Sequence, residues 1–181
     1  MFGVDRLIVG TSGSPGSLQA LRYAEGLARA HDAALIPVIA WELPGGDRGY
    51  RTGPTAALGK ACQELAGQRL RDALLAVWGE VPGDPLVQPR VERGPAGWVL
   101  VNLACRPGDA LVVGAGRRGA LARLAFSRVS RYCLARARCP VIAVPPPELA
   151  GELRHGRLAW VFWHRPLTPE QILRDQDRPA A

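Results

Sequence analysis

Residues 109–145, DALVVGAGRRGALARLAFSRVSRYCLARARCPVIAVP, decide the fold of this chain. An apolar run meets a glycine-rich turn, an arginine-studded helical stretch follows, and a second apolar run closes the segment. The pattern predicts a strand at Asp109–Val113, a helix at Leu124–Arg138 and a strand at Val141–Val144. Two strands joined through a helix form a parallel pair with a right-handed crossover. A turn at the carboxyl end of a parallel strand is where open α/β sheets hold phosphorylated ligands. The same segment carries Arg117, Arg118, Arg123, Arg128, Arg131, Arg136 and Arg138, and no acid lies between Asp109 and Glu148. The formal net charge is +7, so the excess positive charge is concentrated beside the candidate ligand turn.

Working back toward the N-terminus, the same alternation repeats. Arg6–Gly10 is a short apolar strand ended by glycine. Ser14 before Pro15 reads as a helix N-cap with proline at the first helical position. Leu18, Leu21, Tyr23, Leu27 and Ala28 give the following stretch, to His31, a helical rhythm. Ala34–Trp41 is the second strand, and Pro37 inside it predicts an edge or a bulge. After a Gly/Pro loop at Pro44–Pro54, Thr55–Trp78 is a long helix, Leu86–Glu92 a third strand, and Gly97–Cys105 a further helix. Strands alternating with helices predict an α/β fold: an open five-stranded parallel sheet with helices on both faces, Rossmann-like. Pro145–Pro147 ends this unit, which gives a domain at 1–147 and a C-terminal extension at 148–181. Within the extension, Leu158–Trp163 (LAWVFW) is an aromatic segment suited to docking on its own domain or on a second subunit.

The chain has 181 residues, 48% of them hydrophobic and 22% charged, the balance of a globular protein. No apolar run has the length of a membrane span, and the N-terminal apolar stretch is too short for a signal peptide, which predicts a cytoplasmic protein with no membrane partner. Cys62, Cys105, Cys133 and Cys139 form no CxxC pair and read as reduced thiols, Cys139 as a small buried hydrophobe. Of 23 basic residues, Lys60 is the single lysine.

Most chemistry-bearing motifs fail on inspection. Gly114-Ala-Gly116-Arg-Arg-Gly119 matches G-x-G-x-x-G, yet no acid follows to hold a ribose before Glu148. Gly53 to Ala61 imitates a P-loop, but its spacer is too long and Ala61 replaces the metal-binding hydroxyl; a helix start is the better reading. There is no nucleophile elbow, and His31, His155 and His164 are scattered. Nothing predicts an enzyme. The arginine-rich stretch offers only Phe126 and Tyr132 as interleaved aromatics, which favours a solvated face over nucleic-acid binding.

These pieces, VGTSGSPGS, the strand ending IAW, Glu92-Arg-Gly94-Pro95-Ala96, DALVVGAGRRG and CPVIAV, resemble in order the universal stress protein family (the UspA type) over residues 4–145. The resemblance implies a five-stranded parallel sheet, frequent dimers and, in many members, ATP or AMP at the strand tips. Nucleotide-binding members carry an aspartate after strand one, and a glycine, two residues, a glycine, nine residues, then glycine with serine or threonine. Glycines admit backbone N–H groups to phosphate. Here Gly114 fits the first glycine, Arg117 stands at the second, Ser127 at the third and Arg128 at the hydroxyl position. Ser12 replaces the aspartate, Ala40 lies where adenine would rest on strand two, and Ser130 keeps a later hydroxyl.

The expectation is a non-enzymatic, stress-type regulatory or binding protein with weak or no ATP binding by the usual mode and no certain cofactor. Two alternatives stay open: an ATP or AMP switch or slow ATPase using Arg117 and Arg128 on the phosphates, and a polyanion-binding module. The implied partner is a second copy, through strand five and the C-terminal tail, beside an unidentified protein partner; nucleic acid is disfavoured.

Overall fold

A computed structural model describes residues 3–43, 56–116 and 128–147. Five strands and four helices alternate among them: β1 Arg6–Gly10, α1 Pro15–His31, β2 Ala34–Trp41, α2 Ala56–Trp78, β3 Arg90–Arg93, α3 Ala96–Leu103, β4 Asp109–Gly114, α4 Arg128–Arg136 and β5 Val141–Val144. The strands form one sheet in the order β3-β2-β1-β4-β5, and every pairing is parallel. This is the architecture that the sequence predicts.

Alternation along each strand sends successive side chains to opposite faces. Leu7 and Val9 of β1 join Leu35, Ile39 and Val112 under α1 and α2, which contribute Ala20, Leu21, Ala24, Leu70 and Leu74. Ile8, Ile36, Val38, Leu111 and Val113 face the other way, under Val99 and Leu100 of α3 and Cys133 of α4. β1 is buried on both faces, which is why it reads as a continuous apolar run. The start of α1 follows its sequence signal: Ser14 is extended, its side chain accepts from the Ser17 N–H, and Pro15 opens the helix.

Pro37 corrects the sequence reading. It lies neither at an edge nor in a bulge: β2 sits between β3 and β1, and the β1–β2 register runs unbroken through Val9 and Pro37. The physical reason lies in which neighbour its missing N–H faces. The Val38 carbonyl accepts from Thr11 on the β1 side, whereas Leu35 exchanges hydrogen bonds with Leu86 and Gln88 on the β3 side. By alternation Pro37 faces β3, where pairing pauses between the bridge Leu35–Val87 and the first β3 pair, Val38–Arg90. The absent donor falls in that gap, and it shortens the third strand to Arg90–Arg93. Cys139 is half-buried; the fully buried thiol is Cys133. Lys60 lies within α2, 3.8 Å from Glu64 one turn on, as a helix reading of the P-loop imitation requires.

Candidate functional site

From β1 the chain runs outward through β2 and β3, then returns to the other side of β1 for β4 and β5. The order therefore reverses between β1 and β4. Their carboxyl ends bound the crevice where open α/β sheets bind ligands. Ser12 follows β1 there, and Gly114 ends β4.

Ser12 is exposed and tied into a cluster of hydroxyls at the start of α1. Its Oγ lies 3.0 Å from Ser14 Oγ and donates to Ser17 Oγ at 3.3 Å. Its backbone N–H donates to Ser17 Oγ at 3.2 Å, and that hydroxyl donates to the Ser14 carbonyl at 2.9 Å. The cluster is neutral, so the position offers hydrogen bonds but no carboxylate for a metal or a ribose. Sequence reasoning found Ser12 and the Ser14 cap but missed Ser17, whose place in the first helical turn was the available signal.

Gly114 has a steric role of its own. A Cβ there would lie 2.9 Å from both the carbonyl carbon and the oxygen of Gly16, and 3.3 Å from Ser17 N. The tip of β4 thus abuts the first turn of α1, backbone to backbone. Ser130, fully buried in α4, donates from Oγ to the Gly114 carbonyl at 2.7 Å and fixes the same tip from the other face. Gly116 follows with φ +88°, the left-handed region that glycine adopts without strain.

The structure therefore brings Ser12, Gly114 and Ser130 to one end of the sheet. Ala40 is half-buried near the end of β2, level with Glu92 of β3. Beside it the Arg93 guanidinium lies over the Trp41 ring at 5.8 Å, a contact the sequence did not reveal. Arg128 is the first residue of α4 and is exposed. Arg117 and Ser127 lie outside the described residues, as do the Pro44–Pro54 loop and the extension 148–181.

Perturbed ionisation is found away from this crevice. At the amino ends of β1 and β4, Arg6 Nε meets Asp109 Oδ1 at 2.7 Å and Nη2 meets Oδ2 at 2.8 Å. The Arg106 N–H donates to Oδ2 at 2.7 Å, and Arg6 Nη2 reaches the Leu103 carbonyl at 3.3 Å. Burial pushes the Asp109 carboxyl up, but the Arg6 hydrogen bonds, the Arg106 N–H and the two positive charges outweigh it and hold the carboxyl below its ordinary range. Burial, with a smaller push from Cys139, raises the Cys133 thiol to about 11. Among the described residues no cluster of His, Cys, Asp and Glu could hold a metal ion, and no helix is long and apolar enough to cross a membrane.

Comparisons with known proteins agree with this geometry. A comparison with curated proteins gave no match. A solved universal stress protein in complex with cAMP is 25% identical, with a TM-score of 0.52 over 80% of this chain and 99% of that one. UspA from Lactobacillus plantarum is 19% identical, TM-score 0.55, covering 78% of this chain and 97% of its own. A universal stress family protein from Burkholderia pseudomallei is 22% identical, TM-score 0.51, covering 80% and 97%; these last two show the fold alone. The model of the universal stress protein family matches residues 3–145, from before β1 to just past β5. The sheet order and that match converge: the chain belongs to the universal stress protein family.

Proposed function

We propose that this chain is a non-enzymatic, stress-type regulatory protein whose switch-point crevice binds adenine nucleotides weakly or not at all by the glycine-cradle mode. The observation that carries the reading is the hydroxyl cluster of Ser12, Ser14 and Ser17. It replaces a carboxylate with neutral groups already engaged with one another and with the α1 backbone. Gly114 supports the reading, because its lack of a side chain is explained by the contact with Gly16 without any phosphate. The sequence carries Arg117 and Ser127 where the usual pattern has glycine, and side chains at such positions would crowd a backbone N–H contact with an anion.

The alternative of an ATP or AMP switch has one observation in its favour. Arg128 is exposed and forms no ion pair with a described residue, so a phosphate could pair with it bidentately. The relative solved with cAMP makes adenine nucleotides the ligand class to test.

Thermal unfolding with and without Mg-ATP, AMP and cAMP decides between the two. A ligand at one hundred times its Kd adds about 2.7 kcal/mol, or about 5–10 °C in Tm for a chain of this size. No shift at millimolar nucleotide is the expected result; a shift of that order, lost in Arg128→Ala, would establish the switch.

The remaining parts of the reading are the division into a 1–147 domain and a 148–181 extension, a cytoplasmic location, and a homodimer through β5 and the tail. Light scattering on the chain with and without residues 148–181 tests the assembly: an unchanged mass rejects the tail's role.

A further inference from the structure

The outer face of α3 and α4 carries an arrangement that neither helix shows alone. Tyr132 of α4 lies against Gly97 of α3: a Cβ on Gly97 would be 2.9 Å from Tyr132 Cγ and Cδ1. The next residue along α3 is Trp98. Both rings are large and open to solvent, Trp98 52% exposed and Tyr132 40%. Residues four apart share a helix face, so Arg128 and Arg136 stand one turn either side of Tyr132, with Arg131 alongside. All three arginines are exposed. None of them forms an ion pair with a described residue, and neither α3 nor α4 contains an acid.

We propose that this face binds single-stranded nucleic acid, with Trp98 and Tyr132 as stacking platforms and Arg128, Arg131 and Arg136 on the phosphates. Charge chooses the class of partner, since three exposed guanidinium groups that pair with no described acid are complementary to a polyanion. The two rings choose within that class. Inorganic polyphosphate and acidic peptides have nothing to stack on indole and phenol rings, whereas every base has a π-face. A duplex keeps its bases inside, so the unpaired strand is the form that fits. Along the arginine-rich stretch itself only Phe126 and Tyr132 are interleaved aromatics; Trp98 is an exposed ring on α3, next in sequence to the Gly97 on which Tyr132 packs. The stacking part of the proposal does not depend on whether the β1–β4 crevice holds a nucleotide, because neither Trp98 nor Tyr132 is placed in that crevice; Arg128 is shared with the nucleotide alternative, so the two aromatic variants are what tell the readings apart.

The test is fluorescence anisotropy of a labelled oligo(dT), about 16 nucleotides long to cover one site, titrated with the full chain near physiological salt. Trp98→Ala and Tyr132→Ala should each weaken binding by about tenfold, while Tyr132→Phe and Trp98→Phe, which keep a ring, should bind like the parent. Replacing Arg128, Arg131 and Arg136 by alanine should flatten the plot of log K against log salt by about 0.7 for each arginine. Equal melting temperatures confirm that the variants are folded. Unchanged binding in both aromatic-to-alanine variants overturns the proposal. So does a duplex, polyphosphate or polyglutamate that competes as well as oligo(dT), or the absence of binding at physiological salt.

Discussion

The two ends of the parallel sheet are held together by opposite means. At the amino end, a buried carboxylate is clamped by a guanidinium, a backbone N–H and the field of both. At the carboxyl end, the strand tips are joined by small residues and neutral hydroxyls: Gly114 on Gly16, Ser130 on the Gly114 carbonyl, Ser12 within its serine cluster. At the first end, loss of Arg6 would leave the buried Asp109 carboxylate without its guanidinium, and loss of Asp109 would leave a largely buried guanidinium without its carboxylate. The second, in the contacts just named, is made of close packing and neutral hydrogen bonds with no ion pair among them. Ser12 meets its serine partners there, and among the described residues no buried side-chain N or O atom lacks a partner.

Substitutions at the two ends should separate them by size. Asp109→Ala strips the partner from Arg6 and should cost about 3–5 kcal/mol in urea unfolding, the range for breaking a buried pair; a loss under 1 kcal/mol would erase the contrast. Gly114→Ala forces backbone apart at 2.9 Å from Gly16 and should cost about 1–3 kcal/mol, as overpacking does. Ser130→Ala removes the buried hydrogen bond to the Gly114 carbonyl and should cost about 1–2 kcal/mol; if it matched Asp109→Ala, the ends would not differ in kind.

Acid sharpens the same comparison. The Asp109 carboxyl is held below its ordinary value in the folded chain. The stability it contributes is complete above the unfolded carboxylate pKa of about 4 and is lost as pH falls through the lower folded value. Asp109→Asn should flatten the acid limb of the stability profile, and Ser130→Ala should leave its shape alone. The smallest effect is kinetic: a thiol reagent should label exposed Cys105 first and reach Cys133, whose thiol sits near 11, only upon unfolding.

The sequence was legible where local chemistry and global fold agree. The Ser14–Pro15 cap, the apolar runs and their alternation with helices lead directly to the observed order of elements. Pro37 was misplaced because proline's cost depends on which neighbour its nitrogen faces, and a single strand does not reveal that. Gly114 and Ser12 were identified as crevice positions, but the Gly16 contact and the Ser17 hydrogen bonds come from packing α1 against β4. The packing of Tyr132 on Gly97 was hidden for a similar reason: the two lie 35 positions apart and meet only where α4 packs on α3.

The clamp at the amino end also has a history in time. Arg6 and Asp109 are 103 positions apart, while β2, the other neighbour of β1, follows after a single helix. Chain synthesis is slow beside the closing of local contacts. In a nascent chain the central strand of the finished sheet is therefore an edge strand, paired on one side and bare on the other, until Asp109 emerges. During that interval Leu7, Ile8 and Val9 present an open edge that a chaperone or a second nascent chain could occupy.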